Sequence, residues 1–128
     1  MNLPITLSAV AAAALINIWL SIRCGQVRTS EKVSVGDGGN EKVIRRMRAH
    51  SNFTENTPMV LVMIAALEFA HPGSTALAAV AGLFMFGRVA HGIGMDGGSL
   101  GIGRMIGTLI TLLAQLGLAI WAIISALG

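Results

Sequence analysis

Four stretches of this chain are long and apolar enough to cross a lipid bilayer, and that limits its possible folds more than any other feature. A spanning helix needs about 20 mostly apolar residues. The stretches Leu3–Arg23, Asn52–Ala70, Ser74–Met95 and Gly101–Leu127 meet that requirement, the second with a helical lead-in from Asn40. Backbone immersed in hydrocarbon has no water to bond, so each stretch is expected to close its own hydrogen bonds as an α-helix. Only 12% of the residues are charged, against about 25% in a soluble domain, and 54% are hydrophobic. The mean hydropathy is +0.73. Four spans joined by short links predict an all-α, integral membrane bundle with up-down-up-down topology. At 128 residues the chain is expected to form one four-helix domain over residues 1–128. The first stretch is longer than a signal-peptide core. It lacks a cationic leader and an obvious cleavage site, so it is expected to be a retained span.

The links are read from turn chemistry. GQVRTSEKVSVGDGGNEK at 25–42 is polar and glycine-rich and reads as a loop. Asn40 then caps the helix that begins EKVIRRMRAH. HPGS at 71–74 and GMDGGSLG at 94–101 read as tight turns. Seven of the nine Lys and Arg (Arg23, Arg28, Lys32, Lys42, Arg45, Arg46 and Arg48) belong to the first link and its flanks. Arg88 and Arg104 flank the third link, while the HPGS turn and both ends carry none. The positive-inside rule therefore places the first and third links in the cytoplasm and both termini opposite. The net charge of +3 follows from this clustering and does not imply nucleic acid as a partner.

Within the spans the polar residues are not scattered. A helix turns about 100° per residue, so Asn52 lies about +40° and Glu55 about −20° from Arg48, with Arg45 at the edge of that face. Arg104, Thr108, Thr111 and Gln115 share an arc of roughly 60° in the fourth span. Arg88 and His91, three apart, are neighbours in the third. Charged groups in a membrane face the bundle interior and pair, so Glu55 is expected to pair with Arg88 or Arg104, and Asn52 to cap a carbonyl or bridge helices. One glutamate does not neutralise this many guanidinium groups. The surplus predicts a hollow near the cytoplasmic boundary that accepts a small, multiply anionic ligand, since arginine's planar fork suits carboxylates.

The run R-A-H-x-N-x-x-E-x-x-P at 48–58 resembles the signature of the MAPEG family, membrane-associated proteins in eicosanoid and glutathione metabolism. GRVAH at 87–91 is similar to the family's third helix, and Arg104 to a lone arginine opening its fourth. The likeness covers essentially the whole chain and is nearest to bacterial-type microsomal glutathione transferases. It implies a homotrimer of four-helix subunits with glutathione held between neighbours near the cytoplasmic face. It also implies an activity: conjugation or reduction of apolar electrophiles by glutathione as co-substrate, in a transferase or peroxidase. By position, Arg48, Asn52 and Glu55 match residues that hold glutathione. His91 lies near the tripeptide, and Arg104 matches the arginine that stabilises its thiolate. Arg88 and Thr108 complete the expected binding set. A cation beside a thiol lowers its pKa, and the thiolate is the nucleophile.

The chain departs from related enzymes where they often carry tyrosine. Those positions are Asn56 and Met95, and no tyrosine occurs anywhere. Thr108 is the one hydroxyl a turn from Arg104 on that face. These departures favour an alternative, a non-catalytic family member that binds a lipid or a partner protein. A small four-span exporter is a third class, but such proteins rest on a glutamate in the first span, which is missing here. Pro58 is expected to bend the second span and open a wedge beside Glu55. His50 and His71 read as surface groups. Glu68 reads as a solvated helix end, and Trp19 and Trp121 as fillers or interface anchors. Gly103 and Gly107, with Gly82 and Gly87, read as sites of close helix approach. Three dispersed histidines and the single Cys24 predict no metal site.

Overall fold

A computed structural model describes residues 2–128. Its helices are α1 (Pro4–Glu31), α2 (Glu41–Ala70), α3 (Thr75–Gly94) and α4 (Ile102–Leu127), with a 3₁₀ turn at Gly98–Leu100. All four are long and apolar enough to cross a membrane. They form the expected all-α bundle. α3 packs most extensively on α4 and α1 on α2, and α2 also touches α3 and α4. The core between them is aliphatic and aromatic, including Leu20, Phe53, Val60, Ile64, Leu77, Phe84 and Leu118. The outward faces are apolar too, with Leu15, Val62, Phe86 and Leu113 all exposed. A bundle apolar inside and outside suits a lipid solvent, where helix contact depends on packing and not on water exclusion.

The ends follow local chemistry. Pro4 opens α1, where its missing N–H costs nothing. The Asn40 side chain accepts from the backbone N–H groups of Lys42 (3.0 Å) and Val43 (3.2 Å) and caps α2. Ser74 does the same for α3 through Leu77. α1 overruns its expected end: GQVRTSE is helical, and the loop shrinks to residues 32–40. Val27 is buried there, and the hydroxyls of Thr29 and Ser30 bond back to Gly25 and Val27 carbonyls. Polarity made this segment look like a loop, whereas packing of its apolar side extends the helix. α2 runs as one helix from Glu41 to Ala70 through Pro58, which is exposed.

The glycine expectations divide. A Cβ on Gly103 would sit 2.5 Å from the Ala90 carbonyl oxygen, and one on Gly107 would reach 2.6 Å from the His91 Cβ. One on Gly87 would meet Ile110 Cγ2 at 2.7 Å. These three let α3 and α4 touch backbone to backbone. Gly82 has no neighbour within 4 Å of such an atom. It lines an apolar groove of about 420 Å³ between α1 and α3.

Two surface readings are corrected at the end of the bundle that carries the HPGS turn. His71 is half-buried, bonded to Ser125 Oγ at 2.8 Å and tilted against Trp121. Glu68 is 1% exposed. Its oxygens accept from Ile5 N (2.8 Å), Thr6 N (2.7 Å) and Thr6 Oγ1 (2.7 Å). Leu3 gives α1 no side-chain cap. A carboxylate from α2 therefore supplies the missing partners, and it sits where the helix dipole is positive.

Candidate functional site

The polar stripe of α2 meets α3 and α4 at the level of Asn52. Arg88 enters from α3 and is 1% exposed. Its Nη2 donates to Asn52 Oδ1 at 2.5 Å and its Nη1 to Thr111 Oγ1 at 2.8 Å. Asn52 does bridge helices, and through Arg88 it links three of them. One turn further on, Gln115 Nε2 of α4 donates to Asn56 Oδ1 at 2.9 Å, while Asn56 Nδ2 donates to the Asn52 carbonyl at 2.8 Å. Two polar rungs thus close the α2–α4 seam. Asn56 and Gln115 were not expected to pair. The available signal was the four-residue spacing of Asn52 and Asn56, which stacks two amides on one face.

Arg48, Glu55, Arg104 and Thr108 flank this seam and are exposed on the bundle's outer surface. The expected pairing of Glu55 with Arg88 or Arg104 is not made. Among the described residues Glu55 joins no ion pair, because Arg88 points inward to neutral acceptors. Thr108 Oγ1 donates back to the Arg104 carbonyl at 2.8 Å. His91 is 4% exposed and packs on Gly107. Its Nδ1 and the Nε of Arg88 are buried without a hydrogen-bond partner. The structure therefore joins Asn52 to Arg88 directly and sets the other five around them. In the single chain the seven do not share one enclosed cavity. A cleft of about 480 Å³ lies one to two turns nearer the start of α2, lined by Glu31, Asn40, Glu41, Lys42, Arg45 and Asp96 with Gly97 and Gly98.

Most other cations at this end are already engaged. Arg23 and Arg46 both bind Asp96, Arg46 through Nε (3.1 Å) and Nη2 (3.2 Å). Arg45 takes Glu41, Lys42 takes Glu31, and Arg28 donates to the Gly36 carbonyl. Burial alone would push the Asp96 carboxyl up, but hydrogen bonds and charge from Arg46 and Arg23 outweigh it and hold the group below the usual carboxylate range. His50, expected at the surface, bonds Asn17 Oδ1 at 2.7 Å. Besides Arg28, three guanidinium groups remain without a carboxylate among the described residues: Arg48, Arg88 and Arg104. Against them stands one unengaged acid, Glu55. That set carries a surplus of positive charge and suits a small anionic ligand.

A family model, MAPEG family, matches residues 6–124. No curated protein matches the chain.

Proposed function

The chain belongs to the MAPEG family and is an integral, multi-pass membrane protein; from this premise we propose that it binds glutathione beside the α2–α4 seam and uses it on apolar electrophiles. The observation that carries the reading is the charge imbalance at the seam, where Arg48, Arg88 and Arg104 have no carboxylate partner. Arg48 holds a carboxylate of the tripeptide through its planar fork. Asn52 donates its amide N–H groups to a second acceptor, because its oxygen already faces Arg88. Glu55 meets the α-ammonium. Arg104, charged at every working pH, keeps the thiol proton off and the sulfur anionic. The tripeptide supplies the sulfur nucleophile, and the apolar face of the bundle admits the electrophile from the bilayer. Arg48, Glu55 and Arg104 lie on the outer surface of one subunit, which fits a site completed by a second copy in a homotrimer. The first and third links face the cytoplasm in this reading.

The test is glutathione binding to detergent-purified protein, with turnover of an aromatic electrophile. Arg48→Ala and Glu55→Ala are expected to weaken binding about 10-fold or more. Arg104→Ala is expected to lower turnover by roughly 100-fold. Tight binding that survives both α2 changes rules out this site.

A second reading, non-catalytic binding of a lipid or a partner, is favoured by one observation. The hydroxyl hydrogen of Thr108 is committed to the Arg104 carbonyl, and Asn56 is committed to Gln115. Neither residue offers a free hydroxyl hydrogen in place of a tyrosine's. Glutathione binding without turnover of any electrophile would select this reading.

A further inference from the structure

We propose that Asp96 is a positioning residue for Arg104, acting through the turn between α3 and α4. The proposal rests on the reading that Arg104 faces the thiol. The turn carries two glycines at positive φ, Gly97 (φ 81°) and Gly98 (φ 68°), where backbone freedom is greatest. Backbone bonds from Asp96 N to the Ile93 carbonyl (3.2 Å) and from Gly97 N to the Gly94 carbonyl (3.0 Å) hold its start, and further anchorage comes from outside. The Asp96 carboxylate accepts from Arg23 of α1 and, on both oxygens, from Arg46 of α2. Arg46 Nη1 also donates to the Arg23 carbonyl at 2.9 Å, so the two arginines are held to each other. Beside them Arg45 Nη1 donates to the Met95 carbonyl at 3.4 Å. Three contacts from α1 and α2 thus converge on residues 95 and 96.

The start of α4 rests on the same short stretch. A Cβ at Gly94 would fall on the backbone nitrogen of Arg104 and on Gly103. The backbone of Arg104 therefore lies directly against the residue two before Asp96. The Arg104 guanidinium makes no hydrogen bond to another side chain among the described residues. The Arg104 backbone, packed on Gly94, sets where that side chain starts relative to Arg48 and Glu55. Arg46 lies two residues before Arg48 on α2, so the clasp ties the turn to the same helix that carries the rest of the site. Electrostatic stabilisation of a developing anion depends steeply on donor position, and a 1 Å misplacement costs about 100-fold. Asp96 touches no ligand in this account. It holds the geometry between two binding elements.

The experiment uses the full chain in detergent, comparing wild type, Asp96→Asn and Asp96→Glu. Three quantities are read: amide hydrogen exchange, glutathione affinity, and the thiolate absorbance of bound glutathione. Asp96→Asn is expected to speed exchange across residues 94–104 and leave residues 9–22 unchanged. The bound thiolate fraction at neutral pH falls roughly 5- to 20-fold. Affinity changes by no more than about 2-fold, because Arg48, Asn52 and Glu55 hold most of the ligand. Asp96→Glu restores most of the thiolate. A loosened turn with wild-type thiolate yield overturns the proposal. So does faster exchange throughout the bundle with no rescue by glutamate, which marks a purely structural role. Failure of the wild type to bind glutathione ends the functional reading itself, and this role with it. Intact glutathione binding with a thiolate fraction indifferent to Asp96 ends the positioning role alone.

Discussion

Glu68 and Arg88 are buried to the same degree, 1% exposed each, and neither meets an opposite charge. Their hydrogen bonding differs. Both Glu68 oxygens are engaged, by two backbone N–H groups and a hydroxyl at the start of α1. The positive end of that helix replaces a counter-ion. Arg88 has donors to spare. Two nitrogens reach neutral oxygens on Asn52 and Thr111, and Nε reaches nothing. Burying a charge costs free energy in either case. The Glu68 region returns that cost locally by capping a helix. The Arg88 region keeps an uncompensated positive field beside Arg48 and Arg104, and such a field is useful only when an anion arrives. Saturation, more than burial, separates these two buried ions, and the unsaturated one is the one the proposed ligand site uses.

Glu68→Ala should break the saturated region with the largest effect on stability. It strips the first turn of α1 of the acceptors that Glu68 supplies. With charge-assisted bonds at about 1.5–3 kcal/mol and caps at about 1 kcal/mol, a loss of about 3 kcal/mol is expected. Denaturation in detergent measures it, and Glu68→Gln, which keeps one oxygen, should fall between. Glutathione affinity should not follow, since the seam at Asn52 and Asn56 lies about three to four turns along α2 from Glu68. A Glu68→Ala protein as stable as wild type would remove this side of the contrast.

Arg88→Met should give the opposite pattern. Replacing a buried, unpaired guanidinium by an apolar chain of similar length removes the desolvation cost together with the bonds, so stability is expected to stay within about 1 kcal/mol of wild type. Glutathione affinity should fall about 10-fold. A stability loss equal to that of Glu68→Ala, with affinity unchanged, would exchange the two roles.

The sequence revealed different shares of these two regions. The spans, the turns, the Asn40 cap and the close approach at Gly103 and Gly107 depend on neighbours in the chain, so hydropathy and spacing expose them. The wheel also grouped Arg48, Asn52 and Glu55 correctly on one face. It gives the direction of a side chain around its own helix and says nothing of how the helices are rotated against each other. That is why the sequence points to Arg88 or Arg104 as the partner of Glu55, whereas Asn52 takes the Arg88 guanidinium in the fold. Glu68 was hidden for a related reason. Its partners lie 62 and 63 residues away at the start of the chain, and no local pattern links them. The helical run at 25–31 was missed because polarity outweighed the single buried face marked by Val27.

Asp96 provides the intermediate case and the smallest expected effect. Its carboxylate is 37% exposed and binds two arginines, so it is neither starved of partners nor dry. Solvent screens such pairs, and each contributes below about 1 kcal/mol. The sign of the pH dependence follows from the depressed pKa. The unfolded carboxyl titrates near pH 3.9, and the folded one lies lower. The unfolded chain therefore binds the proton first, and stability falls as the medium is acidified through that region. Above about pH 4 the contribution is complete and flat. Melting of the wild type in detergent should thus show an acid limb confined to pH values near and below 4, and Asp96→Asn should flatten part of it while lowering stability slightly at neutral pH. An acid limb unchanged by the substitution would mean that the Asp96 carboxylate does not control acid stability. The clasp would then hold the turn by geometry alone, with the charge on Asp96 incidental.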